Sequence, residues 1–97
     1  MAKKRNRNTK LVEAKLEPRF PKTEAYQYNS ASIRVRIVDN EFRGKNMVER
    51  EQIVLPLIRE LPRNVQDDIT ILLLLAPDET KSSMMNLEFE QPTPSQL

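Results

Sequence analysis

The side chains that most often do chemistry near neutral pH are missing from this chain. Its 97 residues contain no histidine and no cysteine. That removes the commonest general base, the commonest metal ligand, thiolate nucleophiles and disulfides together. Carboxylates, lysines and tyrosines are what is left. Two adjacent acid pairs, Asp67-Asp68 and Asp78-Glu79, have the composition of a magnesium or acid–base site. Adjacent acids at element ends more often serve as caps or turns. No phosphate-cradling glycine loop, catalytic triad or metal box occurs, and Gly44 is the single glycine. The expectation is a protein that is not an enzyme, with no catalytic, cofactor-binding or metal-binding residue.

Cations are the second chemical feature. Lys3, Lys4, Arg5, Arg7 and Lys10 fall within the first ten residues with no acid among them. The net charge is only +2, so a pI near 9.1 describes that segment more than the whole. One reading is a solvated, disordered basic tail over residues 1–8. The other is an arm that contacts nucleic-acid phosphates in a salt-sensitive way. Arg34 and Arg36 alternate with Ile33, Val35 and Ile37, which gives a half-buried strand with a basic outer face. Lys3, Lys4, Arg5, Arg7, Arg34 and Arg36 are thus the candidate nucleic-acid residues, with Tyr26 and Tyr28 available to stack on bases. The Gly-x-x-Gly loop that clamps nucleotides in KH domains is missing.

Glu51 is the most unusual acid. At 100° per residue it falls in the middle of an apolar stripe of Met47, Val48, Val54, Leu55, Ile58 and Leu61. Either it reaches solvent from the first turns and gains from the helix dipole, or it is a functional carboxylate beside the loop Phe42-Arg43-Gly44-Lys45. The candidate partner-binding set is Phe42, Gly44, Lys45, Arg50 and Glu51. Gly44 in that loop points to a backbone angle that other residues tolerate poorly.

The elements that would position these residues follow from periodicity and punctuation. Leu11, Val12 and Leu16 predict a helix over 9–17, stopped by Pro18. Strands follow at Tyr26–Tyr28 and Ser32–Val38, paired antiparallel through Asn29-Ser30. Asn46 and Glu49 form a capping box for the next helix, which Pro56 should kink or split and Pro62 should end. Residues 68–76 read as a strand apolar on both faces, with Ile69, Ile71, Leu73 and Leu75 on one and Leu72 and Leu74 on the other. Asp78 can cap a last helix packed through Met84, Met85, Leu87 and Phe89. Residues 91–97 read as a disordered tail. The expectation is one domain over 9–90, an α+β two-layer sandwich of order αββαβα. Its three-stranded mixed sheet would carry helices on one face. The second face of the third strand then calls for cover, by the C-terminal segment or by another molecule, which admits a homodimer. A mean hydropathy of −0.63 and no apolar run near the ~20 residues that span a bilayer argue against membrane contact. With no signal-like segment, the expected location is the cytoplasm.

The stretch IRVRIVDNEFRGKNMVEREQIV resembles the BolA family, with Phe42, Gly44, Val48, Arg50 and Val54 at matching positions. Ala76-Pro77-Asp78-Glu79 follows the family's layout, and the resemblance covers Leu11 to Glu79. It implies an αββαβα fold with the topology of type II KH domains. It also implies partnership with monothiol glutaredoxins around a shared iron–sulfur cluster, or a nucleic-acid role. The departures are specific. Glu51-Gln52 stands where the family has His-Arg, and Asp68 is nearest to its usual strand-opening histidine. The chain therefore offers no imidazole or thiolate to a cluster. The expected function is a BolA-like adaptor acting through protein–protein contacts, without ligating a cluster itself. The alternative is a nucleic-acid-binding module.

Overall fold

A computed structural model describes residues 3–95. Four helices, α1 (Arg7–Leu16), α2 (Met47–Ile58), α3 (Arg63–Asp68) and α4 (Met84–Glu90), surround three strands, β1 (Thr23–Asn29), β2 (Ser32–Val38) and β3 (Ile69–Leu75). Short 3-10 turns at Asn40–Phe42 and Pro77–Lys81 complete the chain.

The sheet has the order β1-β2-β3. β1 runs antiparallel to β2 with Ala25 opposite Val35, and β3 runs parallel to β2 with Leu72 opposite Val35. Alternation along the strands sends Ala25, Ile33, Val35, Ile37 and Leu74 to one face. There they meet Val12 and Leu16 of α1, Val54 and Ile58 of α2, and Val65 of α3, which forms the main core. Tyr26, Leu73 and Leu75 project to the other face, where Phe89 of α4 covers them. The α+β class and the mixed three-stranded sheet are as expected. The helix placement differs in one respect: α1 to α3 share a face and α4 takes the opposite one. A strand apolar on both sides needs cover on both, and the C-terminal segment provides the second.

That cover changes the reading of Arg34 and Arg36. They lie beneath α4, not on an outer face, and Arg34 is only 8% exposed. The N-terminal segment also departs from a disordered tail over 1–8. The Gln27 N–H donates to the Lys4 carbonyl at 2.7 Å, adding a one-residue bridge to the outer side of β1. The Asn6 side chain accepts the Thr9 N–H at 3.0 Å and so caps α1 two residues earlier than predicted. Met1 and Ala2, part of that tail, lie outside the described residues. At the other end, Thr93 donates its N–H to Glu88 at 3.0 Å, so residues 91–95 are also held. Gln96 and Leu97 lie outside the described residues.

Three helices differ in detail from their sequence signals. α2 is continuous through Pro56. The missing proline N–H orphans only the exposed Gln52 carbonyl, which water can serve. The buried stripe of α2 begins at Arg50, leaving Met47 and Val48 exposed. α3 has a single apolar residue, Val65, in six, too few for a period to register. α4 is capped by Ser83, not Asp78, and buries Phe89 while Met84, Met85 and Leu87 stay exposed. No helix among the described residues is long and apolar enough to cross a membrane.

Candidate functional site

The loop after β2 is built from the residues singled out in the sequence. Asp39 accepts the Glu41 N–H at 2.8 Å and opens a 3-10 turn. The turn drives Phe42 inward to stack on Phe20, with ring centroids 5.6 Å apart. Gly44 then reverses the chain at φ 76°, a left-handed angle that side chains resist. A Cβ there would meet nothing within 4 Å, so the angle alone accounts for the glycine. Lys45 donates Nζ to the Glu41 carbonyl at 2.9 Å. Asn46 and Glu49 form the expected capping box, each accepting the other's N–H at 2.9 and 2.8 Å respectively.

Arg50 joins this loop to the rest of the fold. Its Nε donates to the Lys45 carbonyl at 2.9 Å and its Nη1 to the Leu74 carbonyl at 2.8 Å. Both Nη atoms grip Glu79, at 2.6 and 2.8 Å. Glu79 also accepts the Ala76 N–H at 3.0 Å. The Arg50 guanidinium, seconded by that N–H, holds the Glu79 carboxyl down to about 2. The same pairing raises the pKa of Arg50. Of the five residues expected to meet a partner, Phe42 and Arg50 are therefore interior, while Gly44, Lys45 and Glu51 reach the surface. Three of the four acids in the two adjacent pairs are engaged, Glu79 by Arg50 as above. Asp78 pairs with Arg43 at 2.9 Å and Asp67 with Arg63 at 3.0 Å. Among the described residues no three acids converge on a metal position.

Glu51, half-buried, stands in the wall of a groove of about 640 Å³. Leu55 and Ile58 of α2, Arg63 and Asp67 of α3, and Thr70 and Leu72 of β3 line it further. Among the described residues β3 is an edge strand with no strand on its outer side, and the groove takes Ile69, Thr70 and Leu72 from it, whereas the outer side of β1 is partly taken by Lys4. Sequence reasoning found Glu51 and missed the α3 side, because α3 itself carried no periodic signal. An iron–sulfur cluster does not fit this site. Its acidic groups are the carboxylates of Glu51 and Asp67, with Asp68 next in the chain, and a cluster of that kind takes thiolate or imidazole.

The six candidate nucleic-acid residues are not gathered on one open surface. Lys3 pairs with Glu24 at 3.1 Å and Glu90 at 3.2 Å. Arg5 pairs with Glu13 at 3.0 Å, Arg34 with Glu88 at 2.8 Å, and Arg36 with Glu24 at 2.9 Å and with Glu90. Lys4 and Arg7 stay exposed.

No family model and no curated protein matches the chain. Among solved structures it is similar to BolA1 from Arabidopsis thaliana, at a TM-score of 0.55 and 19% identity, over 77% of this chain and 98% of that one. The likeness establishes a BolA-like fold.

Proposed function

We propose that the chain is a non-enzymatic adaptor that binds a protein partner in the groove along the open edge of β3. The observation that carries this is the groove itself. Apolar Leu55, Ile58, Ile69 and Leu72 line it together with the charged Glu51, Arg59, Arg63 and Asp67, on a strand that has no partner on its outer side among the described residues. An unpaired edge offers main-chain donors and acceptors to an extended segment, and side pockets then select its residues. The groove is shallow and mixed in character, which suits a protein surface better than a small substrate. Support for the adaptor class comes from the BolA-like fold, and the acids nearest the loop are engaged in ion pairs. Phe42, Gly44 and Arg50 act at one remove, by holding the start of α2 in place. A nucleic-acid role has less support, because Lys3, Arg5, Arg34 and Arg36 are already matched by carboxylates of the same chain.

A monothiol glutaredoxin is the first partner to test, given the fold. Co-expression should yield a complex on size-exclusion chromatography that Leu55→Asp, on the groove wall, disperses. A complex indifferent to Leu55→Asp would remove the groove from the reading, and no complex would remove glutaredoxin. A visible spectrum of the complex checks the cluster separately. Absorption that requires this chain would show ligands other than histidine at work.

A further inference from the structure

The second face of the sheet holds α4 in an unusual way. Three of its apolar side chains, Met84, Met85 and Leu87, point to solvent, with Met84 79% exposed. Its polar and acidic ones point to the sheet. Phe89 enters between them, 4.8 Å from the Tyr26 ring. On one flank Arg34 donates to Glu88 at 2.8 Å and lies 3.5 Å over the Tyr28 ring. On the other, Arg36 donates to Asn86 at 2.7 Å and to Glu90, with its guanidinium 4.7 Å from the Phe89 ring. The Tyr26 hydroxyl donates to the Phe89 carbonyl at 2.8 Å. The face thus reads a Glu-aromatic-Glu sequence: one ring in an aromatic slot, with a carboxylate on either side met by its own arginine.

Two features mark this occupant as replaceable. A seven-residue helix has little stability of its own, and α4 has one buried apolar anchor. The fit is also incomplete, because Arg34 Nε is buried with no acceptor. A carboxylate laid across Nε and one Nη of Arg34 would satisfy what Glu88 leaves unmet. Removing α4 would take away Glu88 and Glu90, leaving Lys3, Arg34 and Arg36 with Glu24 alone. The vacated surface would be basic and aromatic.

We propose that this face is a binding site for an acidic-aromatic segment of a partner protein, filled in cis by α4 until a better-fitting Glu-aromatic-Glu segment displaces it. The site lies across the sheet from the β3 groove and does not depend on it. Displacement also releases the helix that carries the already exposed Met84, Met85 and Leu87.

The probe is a fluorescein-labelled peptide of sequence SSMMNLEFEQPTPS, identical to residues 82–95. Full-length chain carrying Glu88→Gln and Glu90→Gln should bind it at least tenfold more tightly than the unaltered chain does. Binding should vanish when the peptide's two glutamates become glutamines, or when Arg34→Gln and Arg36→Gln are added to the chain. Equal affinity for both chains, or binding indifferent to the peptide's glutamates, overturns the proposal. An unaltered chain that dimerises by exchanging α4 overturns the choice of a separate partner. Hydrogen exchange on the unaltered chain tests the latch without substitution. The amides of α4 should open at least a hundredfold more often than those of β2, and equal protection overturns displaceability.

Discussion

Arg50 and Glu79, 29 residues apart in sequence, form a two-toothed ion pair with Nη–Oε distances of 2.6 and 2.8 Å. Through it the first turn of α2, the Gly44 loop and the turn after β3 become one unit. Arg50 also donates to the Lys45 and Leu74 carbonyls, so no donor nitrogen of this buried side chain is idle.

Replacing Glu79 with glutamine removes the charge and one good acceptor while leaving Arg50 buried. The side chain of Glu79 is 36% exposed, so solvent screens part of the loss. The expected destabilisation is about 1–3 kcal/mol, read as a lower urea midpoint at unchanged m-value. Arg50→Met should do at least as much, because the Lys45 and Leu74 carbonyls then lose a donor as well.

The same pair predicts an acid response. Glu79 titrates at about 2 in the folded chain, against an ordinary value of 4.5. A depressed folded value means the contribution is fully present above pH 4.5 and is lost as pH falls toward 2. Glu88, held to about 2 by Arg34 and Thr93, loses its contribution in the same window. Thermal melts between pH 2 and 6 should show stability declining below pH 4.5. Glu79→Gln should make that decline shallower, and an unchanged slope in the variant would rule out Glu79 as a source.

Gly44 supplies a test of backbone angle without packing. Because space beyond its Cα is open, Gly44→Ala should cost only the left-handed strain, about 1–2 kcal/mol. Gly44→Asn should cost less, since asparagine visits that region more readily. A loss well above this range would mean that the loop shifts and carries Arg50 with it.

Glu51 is expected to be neutral for folding. Half-buried on the groove wall and in no ion pair among the described residues, Glu51→Gln should change stability by no more than about 0.5 kcal/mol. Calorimetry with a partner that engages the groove should show weaker binding by the variant. Unaltered binding would leave Glu51 as a solvated helix-start acid.

Much of the architecture was legible because local signals and tertiary packing agree. The two-residue alternation of Ser32–Val38 is β2 to the residue, and Asn46 with Glu49 marked the start of α2 through hydrogen bonds that need only local geometry. Gly44 was readable for the same reason, since a left-handed angle is a property of one residue. Harder to see was α3, whose six residues are helical because Pro62 starts the turn and Val65 finds the core. Met84, Met85 and Leu87 misled in the other direction, since their apolar character suggested a packed face.

What the chain composition determined alone is the chemistry it excludes: without histidine or cysteine, no imidazole or thiolate is available wherever the residues lie. Strand order, by contrast, is decided by which apolar faces can be covered at once, and that is a property of the whole chain. The roles of the charged residues depend on it most. Arg34, Arg36 and Arg50 are equally basic in sequence, yet long-range partners set each one's environment: Glu88 for the first, Glu90 and Glu24 for the second, Glu79 for the third. A charge is local, but the cost of burying it depends on its neighbours, and only folding brings those neighbours together.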